Sequence, residues 1–316
     1  MSGSGPAGYD IIGDVHGRAD LLVRLLEAMD YRRVPGGRGF AHPYRRAVFV
    51  GDLVDRGPMI AEAVAIVRAM AEAGDGLVVL GNHEFNLLSF CSPGPDGLPL
   101  RAATASNRAQ HRETLEQVRG RALDELLAWI RSLPLWLELD GLRVVHACWH
   151  PPSIDTLAAA VRETALLGQP LLACLNRPGD PLADALERVV KGWELPLPEA
   201  CDPAAGEARE RRKIRVRWYA DPAGATYRGY ALQSRPVDCD ESLDPAAVAE
   251  AVPYGDNEPP VFFGHYGLHG PGLGPPRPLA ANVGCVDWGV SKGGPLVAYR
   301  WQGERRLEPD RFIGVT

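Results

Sequence analysis

The stretch Gly51 to Gly57, GDLVDRG, follows the apolar run Ala47, Val48, Phe49, Val50 and sets two carboxylates, Asp52 and Asp55, at the end of what reads as a buried strand. Acids placed there cost stability unless something cationic meets them. Downstream, Pro58 and the Ala-rich run 59–73 read as the opening and body of a helix. Two other segments share this layout. Residues 9–12 lead into GDVHGR and then a helix over 19–29, with Leu21, Leu22, Leu25 and Leu26 at helical spacing. Residues 77–80 lead into GNHEFNLL, whose later part reads as helix. Three apolar strands, each released into a polar, glycine-marked loop and then a helix, define an α/β chain.

The rest of the chain divides around these units. Residues 93–99 form a turn-rich loop, and 101–131 read as a polar, mostly helical surface covering one side of the site, with Leu123, Leu126, Leu127 and Ile130 giving it an amphipathic end. Residues 135–139 and 142–145 read as a hairpin through Asp140 and Gly141, the second strand ending in VVHACWH. The character then changes. Helical pieces at 154–165 and 182–190 precede a Pro-rich tract, and the basic alternation from Arg209 to Trp218 reads as a strand with one solvated face rather than a nucleic-acid contact. Strand character returns at 261–263, 281–287 and 296–301. The expected organisation is therefore a tail at 1–8, a core at 9–150 and 260–316 closed by both ends of the chain, and an insertion or cap at 151–259.

Bulk properties narrow the function. With 316 residues, 46% of them apolar, the chain can bury a large core. A net charge of -6 argues against nonspecific nucleic-acid binding, although the basic residues are nearly all arginine, the lysines being Lys191, Lys213 and Lys292. Six cysteines, Cys91, Cys148, Cys174, Cys201, Cys239 and Cys285, lie scattered without a CxxC pair and read as free thiols in a reducing compartment. The opening residues carry no basic-then-apolar leader, and no run of about 18 apolar residues follows. A cytoplasmic protein with no membrane partner is expected.

The strand ends collect a consistent set of donors: Asp14 and His16, Asp52, Asn82, His146 and His265. In open α/β sheets, ligands gather outside the carboxyl ends of strands. Carboxylate and amide oxygens mixed with imidazoles suit manganese, with iron or zinc as alternatives, and two ions sharing one carboxylate need an inventory of this kind. Each signal alone has a plainer reading. GDVHG can be a turn, a single histidine is more often structural than a ligand, and Asp55 with Arg56 can be a surface ion pair.

Taken in order, GDVHG, GDLVDRG, GNHE, VVHA and FFGHY resemble the motifs of the calcineurin-like metallophosphoesterases, in the branch that holds bacterial serine/threonine protein phosphatases and symmetrical diadenosine tetraphosphate hydrolases. The resemblance covers about residues 9–150 and 260–300. It implies a four-layer αββα fold, a β-sandwich flanked by helices, and two divalent metal ions. Asp14 and His16 would hold the first ion, Asp52 would bridge, and Asn82, His146 and His265 would complete the second site. The reaction implied is in-line attack on phosphorus by a hydroxide bridging the ions. His83 would act as general acid, Asp55 would orient it, and Arg56 would grip phosphate. A second phosphate-binding arginine is expected from the insertion, with Arg228 in TYRGY as the candidate and Arg217 behind it. HACWH departs from the glycines of the eukaryotic-type phosphatases, and the ending CVDWGVSKGG resembles the bacterial enzymes.

The expected activity is a phosphomonoesterase of the serine/threonine protein phosphatase type. Hydrolysis of a dinucleoside tetraphosphate or another nucleotide or nucleic-acid phosphate is the alternative. A catalytically silent phosphate-binding module is the reading from another class. The partner is thus a phosphorylated substrate, phosphoprotein or nucleotide. Trp193, Trp218, Tyr219 and Tyr227 are the aromatics that could stack on a base, with core packing as their commoner fate.

Overall fold

In the computed structural model, which describes residues 6–163, 167–202, 212–270 and 272–316, the three strand, loop and helix units form side by side. Gly8–Ile12, Arg45–Phe49 and Gly76–Val78 pair in parallel, and Leu296–Trp301 joins the open edge of Gly8–Ile12 antiparallel, followed by Phe312–Val315. A second sheet runs in the order Val283–Cys285, Val261–Phe263, Leu142–Val145, Trp136–Leu139. Its first three strands are parallel, and the last two form the expected hairpin, with Gly141 at φ 84° in the turn. The two sheets thus draw strands from both ends of the chain.

Alternation along the strands explains the layering. Ile11, Val48 and Val50 face inward with Val144, Phe262, Val286 and Tyr299 from the other strands, making the interior of a sandwich. The Phe262 and Tyr299 ring centroids lie 4.9 Å apart. The other face of the first sheet, with Ile12, Ala47 and Phe49, joins the larger core with Leu22, Leu25 and Ile66 from the helices Ala19–Ala28 and Ile60–Ala73. Fully burying each such Leu, Ile or Phe side chain contributes about 1.5–3 kcal/mol. The outer face of the second sheet is covered by residues of 151–259. Trp218 meets Phe263 edge-on at 5.3 Å, and the Val189 carbonyl, in the helix Pro181–Lys191, accepts from Ala147 N at 3.0 Å. This is the mixed α/β architecture expected.

The structure details the sequence reading and, at the cysteines, corrects it. The run 101–131 is two helices, Ala105–Gln117 and Arg121–Arg131. The basic alternation is a short strand, Lys213–Arg215, paired with Glu194–Pro196, while Arg209 to Arg211 lie outside the described residues, as do residues 1–5 of the tail. Cys201 and Cys239 are joined in a disulfide across 38 residues of sequence, correcting the reading of six free thiols. No short spacing announces that pair, because the fold of the intervening chain brings the two together. A disulfide also sits poorly with a reducing compartment. Trp193, Trp218, Tyr219 and Tyr227 are all buried, so core packing is their fate. Among the described residues no helix is long and apolar enough to cross a membrane.

Candidate metal centre and its two flanks

Six strand ends from both sheets deliver their next few residues to one place: Asp14 after Gly8–Ile12, Asp52 after Arg45–Phe49, Asn82 after Gly76–Val78, His146 after Leu142–Val145, His265 after Val261–Phe263 and Asp287 after Val283–Cys285. The loops are tight. Of the seven described non-glycine residues with positive φ, five are His16, Asp52, Asp55, Arg56 and His265, so strain is concentrated at this site. Gly264 shows why glycine is needed between strand and ligand. A Cβ there would lie 2.1 Å from Asp14 Oδ1.

Asp52 is the centre of the arrangement. Its Oδ2 lies 3.6 Å from His16 Nε2 and 3.8 Å from His83 Nε2, and its Oδ1 lies 3.4 Å from His146 Nε2. Two groups of metal-capable atoms therefore share this carboxylate: His16, Asp52 and His83 on one side, Asp52, His146 and His265 on the other, each within 4.8 Å. Asn82 Oδ1 completes the second, 3.1 Å from His146 Nε2 and 2.8 Å from His265 Nδ1. Asp14 is in neither group among the described residues; its carboxylate accepts from His265 N at 3.1 and 3.2 Å.

The donor chemistry fits cations. His146 Nδ1 donates to the Val50 carbonyl at 2.6 Å and His16 Nδ1 to the Val54 carbonyl at 3.0 Å, which leaves each Nε2 lone pair directed at Asp52. Burial lowers the His16 pKa to about 3 and that of His265 well below the ordinary range, so both imidazoles are neutral, the form able to ligate a cation. Burial, Asp287 and Asp52 together raise Asp14, the signature of carboxylates gathered without a counter-charge. For Asp52, burial works upward, but His146, His83, His16 and His265 outweigh it and lower its pKa. His265 Nε2 is buried and has no hydrogen-bond partner.

Glu84, the last residue of GNHE, carries a role the sequence reading did not give it. Its two oxygens accept from Asp52 N at 2.8 Å, Leu53 N at 2.7 Å, Val54 N at 3.1 Å and Gly81 N at 3.2 Å. One buried carboxylate thereby fixes the backbone of GDLV. Burial and the nearby Asp52 raise its pKa to about 7.

On the flank beyond Asp52 lies a closed polar wall. His83 Nδ1 donates to Asp55 Oδ2 at 2.7 Å. Behind Asp55 stands the helix Ala105–Gln117. From it His111 Nδ1 approaches the carboxylate at 3.1 and 3.2 Å, Thr114 Oγ1 donates to Oδ1 at 2.6 Å while accepting from Asp55 N at 2.9 Å, and Gln110 Nε2 reaches Oδ2 at 3.4 Å. One turn on, Gln117 accepts from Ile60 N at 2.6 Å and donates to the Gly57 carbonyl at 3.1 Å. The helix thus clamps the loop on both sides of Arg56. His111, read from sequence as solvated or structural, is fully buried against Asp55 and meets Phe90 on its ring. Burial works to raise Asp55, but hydrogen bonds from His111 and His83 outweigh it and hold the carboxyl low. Burial works to lower His83, yet Asp52 and Asp55 outweigh it and leave its pKa raised.

The other flank is basic. Arg56 spans the site mouth, with Nη2 2.9 Å from His83 Nε2, Nη1 3.2 Å from His16 Nε2, and Nη1 donating to Ser291 Oγ at 3.0 Å. The expectation for Arg228 is corrected. Its guanidinium is exposed and engaged elsewhere, with Nε on Asp240 Oδ1 and Nη2 on Asp238 Oδ1, both at 2.6 Å, and Arg217 Nε donates to the Ala231 carbonyl at 3.2 Å. The arginine that does reach the site is Arg215, two positions before Arg217 on the same alternating face. Its Nη1 donates to the His265 carbonyl at 3.1 Å. The alternation was visible in sequence, but not which of its basic residues would meet the late histidine.

The fold and this arrangement define a metallophosphoesterase. Residues 9–175 match the family model described as calcineurin-like phosphoesterase, and the chain belongs to that family. Its members are metal-dependent hydrolases of phosphate ester bonds, and this chain is one. The chain is similar to the symmetrical bis(5'-nucleosyl)-tetraphosphatase of Methylococcus capsulatus, 27% identical with 96% of this chain and 95% of the relative aligned. It is also similar to the protein of that name from Chromohalobacter salexigens, 30% identical over 94% and 96%. Among solved structures it is similar to the cold-active protein-tyrosine phosphatase of a psychrophilic Shewanella, 18% identical, TM-score 0.47, over 99% of this chain and 81% of that one.

Proposed function

We propose that this chain hydrolyses the phosphate chain of a dinucleoside tetraphosphate or a closely related nucleotide, with a dinuclear manganese centre around Asp52. The observation that carries the reading is the likeness to proteins named symmetrical bis(5'-nucleosyl)-tetraphosphatase along nearly the whole of both chains, residues 151–259 included. This moves the reaction from the phosphoprotein expected first to the nucleotide held as the alternative. We assign residues 151–259 as a cap over the core on the same ground.

In this reading Asp14 and His16 would hold one ion, Asn82, His146 and His265 the other, and Asp52 would serve both. Two divalent ions bound there would supply an acidified water and offset the charge of the phosphate. The remaining roles belong to the chain itself. Arg56, whose Nη1 and Nη2 lie against His16, Ser291 and His83, would exchange these contacts for phosphate oxygens as a charge-assisted fork, and Arg215 adds a second cation from the His265 side. His83, tied at Nδ1 to Asp55, would deliver a proton from Nε2 to the oxygen that departs once Arg56 Nη2, 2.9 Å from that nitrogen, has turned to the phosphate. Glu84 and the helix Ala105–Gln117 keep the loop between Asp52 and Arg56 in its left-handed conformation.

One observation favours a second reading, phosphomonoester hydrolysis. A buried and elaborately oriented acid matters most when the leaving group is a poor one such as an alkoxide, and less for a nucleoside diphosphate. The test is one panel run with manganese-loaded protein: diadenosine tetraphosphate, a phosphoserine peptide and p-nitrophenyl phosphate, with Asp52→Ala as background. Preference for the dinucleotide is expected. Preference for the phosphopeptide would replace the first reading with the second.

A further inference from the structure

Beyond Arg56 the basic edge continues onto residues with no place in the chemistry described so far. The short turn of 3-10 helix Val290–Lys292 follows Gly289 and brings Ser291 under the Arg56 guanidinium and Lys292 beside the loop that carries His265. Lys292 Nζ is so close to Gly267 that a Cβ on that glycine would lie 2.8 Å from it. Asp287 ties the two loops together, accepting from Gly289 N at 2.9 Å and from Gly267 N. The position of the lysine is therefore fixed at its base by backbone contacts rather than left to a free surface loop.

The charges around Lys292 are strongly one-sided. Partial burial and the positive charges of Arg215, Arg56 and Arg235 hold its pKa below the ordinary lysine value, against the pull of Asp287. Asp287 already accepts from two backbone N–H groups. Arg215 has a loose partner in Glu194 at 3.6 Å, whereas Lys292 and Arg235 make no ion pair with a described carboxylate within 4.0 Å. Lys292 therefore sits among like charges that repel it, an arrangement that becomes favourable when an anion enters. A phosphate monoester dianion at Arg56 answers one or two of them. A chain of phosphates leading away from Arg56 answers more. The buried state of Trp193, Trp218, Tyr219 and Tyr227 leaves those rings unable to stack on a base, which also shifts recognition from base to phosphate.

We propose that Lys292, with Arg215, forms a second phosphate subsite beside Arg56 that grips the departing part of a phosphate chain. The inference rests on the phosphate-chain reading above and adds to it where the chain runs and which residues select it over a monoester.

The test uses non-hydrolysable probes, so that binding is read without turnover. Calorimetry on the manganese-loaded protein, with free manganese held constant, compares methylenediphosphonate, which carries two phosphoryl groups, with methylphosphonate, which carries one. Wild type is expected to prefer the diphosphonate, Lys292→Met to lose about tenfold of that affinity with a much smaller change for the monophosphonate, and Lys292→Arg to restore most of it. Equal losses for both probes, or no loss for either, would overturn the subsite. If the diphosphonate preference depends on Lys292 while diadenosine tetraphosphate is not cleaved, the subsite stands and the proposed substrate fails. If the dinucleotide is cleaved while Lys292→Met binds both probes as wild type does, the substrate stands and the subsite fails.

Discussion

On one flank of Asp52, Asp55 lies wholly buried and accepts from His83, His111, Thr114 and its neighbours, so that the imidazole it orients has little freedom left. On the other, Arg56, Arg235 and Lys292 are exposed, and the carboxylate nearest Lys292 is already taken by backbone. The contrast matches the roles proposed for the two flanks. A group that delivers a proton has to be held in one geometry before substrate arrives, because misplacement is costly in rate. Cations that grip an incoming anion are best left without competing acids, since the substrate itself supplies the counter-charge. Substitutions on the closed flank should therefore change turnover, and those on the open flank should change binding.

The largest break in this picture is Asp52→Ala, which removes the carboxylate both flanks depend on. Metal analysis and turnover should fall together to background, and a fully metallated, active variant would remove Asp52 from the centre. Next comes His83→Ala. Metal content should persist while kcat falls by about 10²–10⁴ on alkyl phosphates and by much less on p-nitrophenyl phosphate, a leaving-group dependence that steady-state kinetics reads directly. Equal losses on both substrates would argue against proton delivery by His83.

A smaller effect is expected at His111, which acts only through Asp55. His111→Leu should lower kcat by about tenfold with KM nearly constant, in the range found for partners one step removed from a reacting group. His111→Asn, whose amide can stand where Nδ1 stands, should recover much of it; a loss that Asn does not relieve would mark the position as packing alone. Smallest of all is Arg228→Ala. With its guanidinium on Asp238 and Asp240, its loss should leave activity within about twofold, whereas Arg215→Ala should raise KM.

The halves of the site also differ in how far sequence reveals them. Asp14, His16, Asp52, Asn82, His146 and His265 each sit within a few residues of an apolar strand end, a local pattern with a physical cause. Parallel strands deliver their carboxyl ends to one edge, and glycines allow the tight exits. The structure brings these residues together, Asp14 against the His265 N–H and outside the two tightest groups of the described residues. His111, Thr114 and Arg215 have no such mark. His111 meets Asp55 across 56 residues and Arg215 meets His265 across 50, from a polar helix and a basic strand whose composition suits solvent equally well. Helical spacing of Gln110, His111, Thr114 and Gln117 was the available hint that one polar face is buried. Nothing local separates Cys201 and Cys239 from the free thiols, or Arg215 from Arg228.

The account turns on cleavage of a phosphate chain at this centre. The direct measurement is product analysis of diadenosine tetraphosphate treated with the manganese-loaded protein in oxygen-18 water. The expected products are two molecules of adenosine diphosphate from each substrate, with a single labelled oxygen between them, and no product from Asp52→Ala. Intact substrate under conditions where p-nitrophenyl phosphate is hydrolysed would contradict the account.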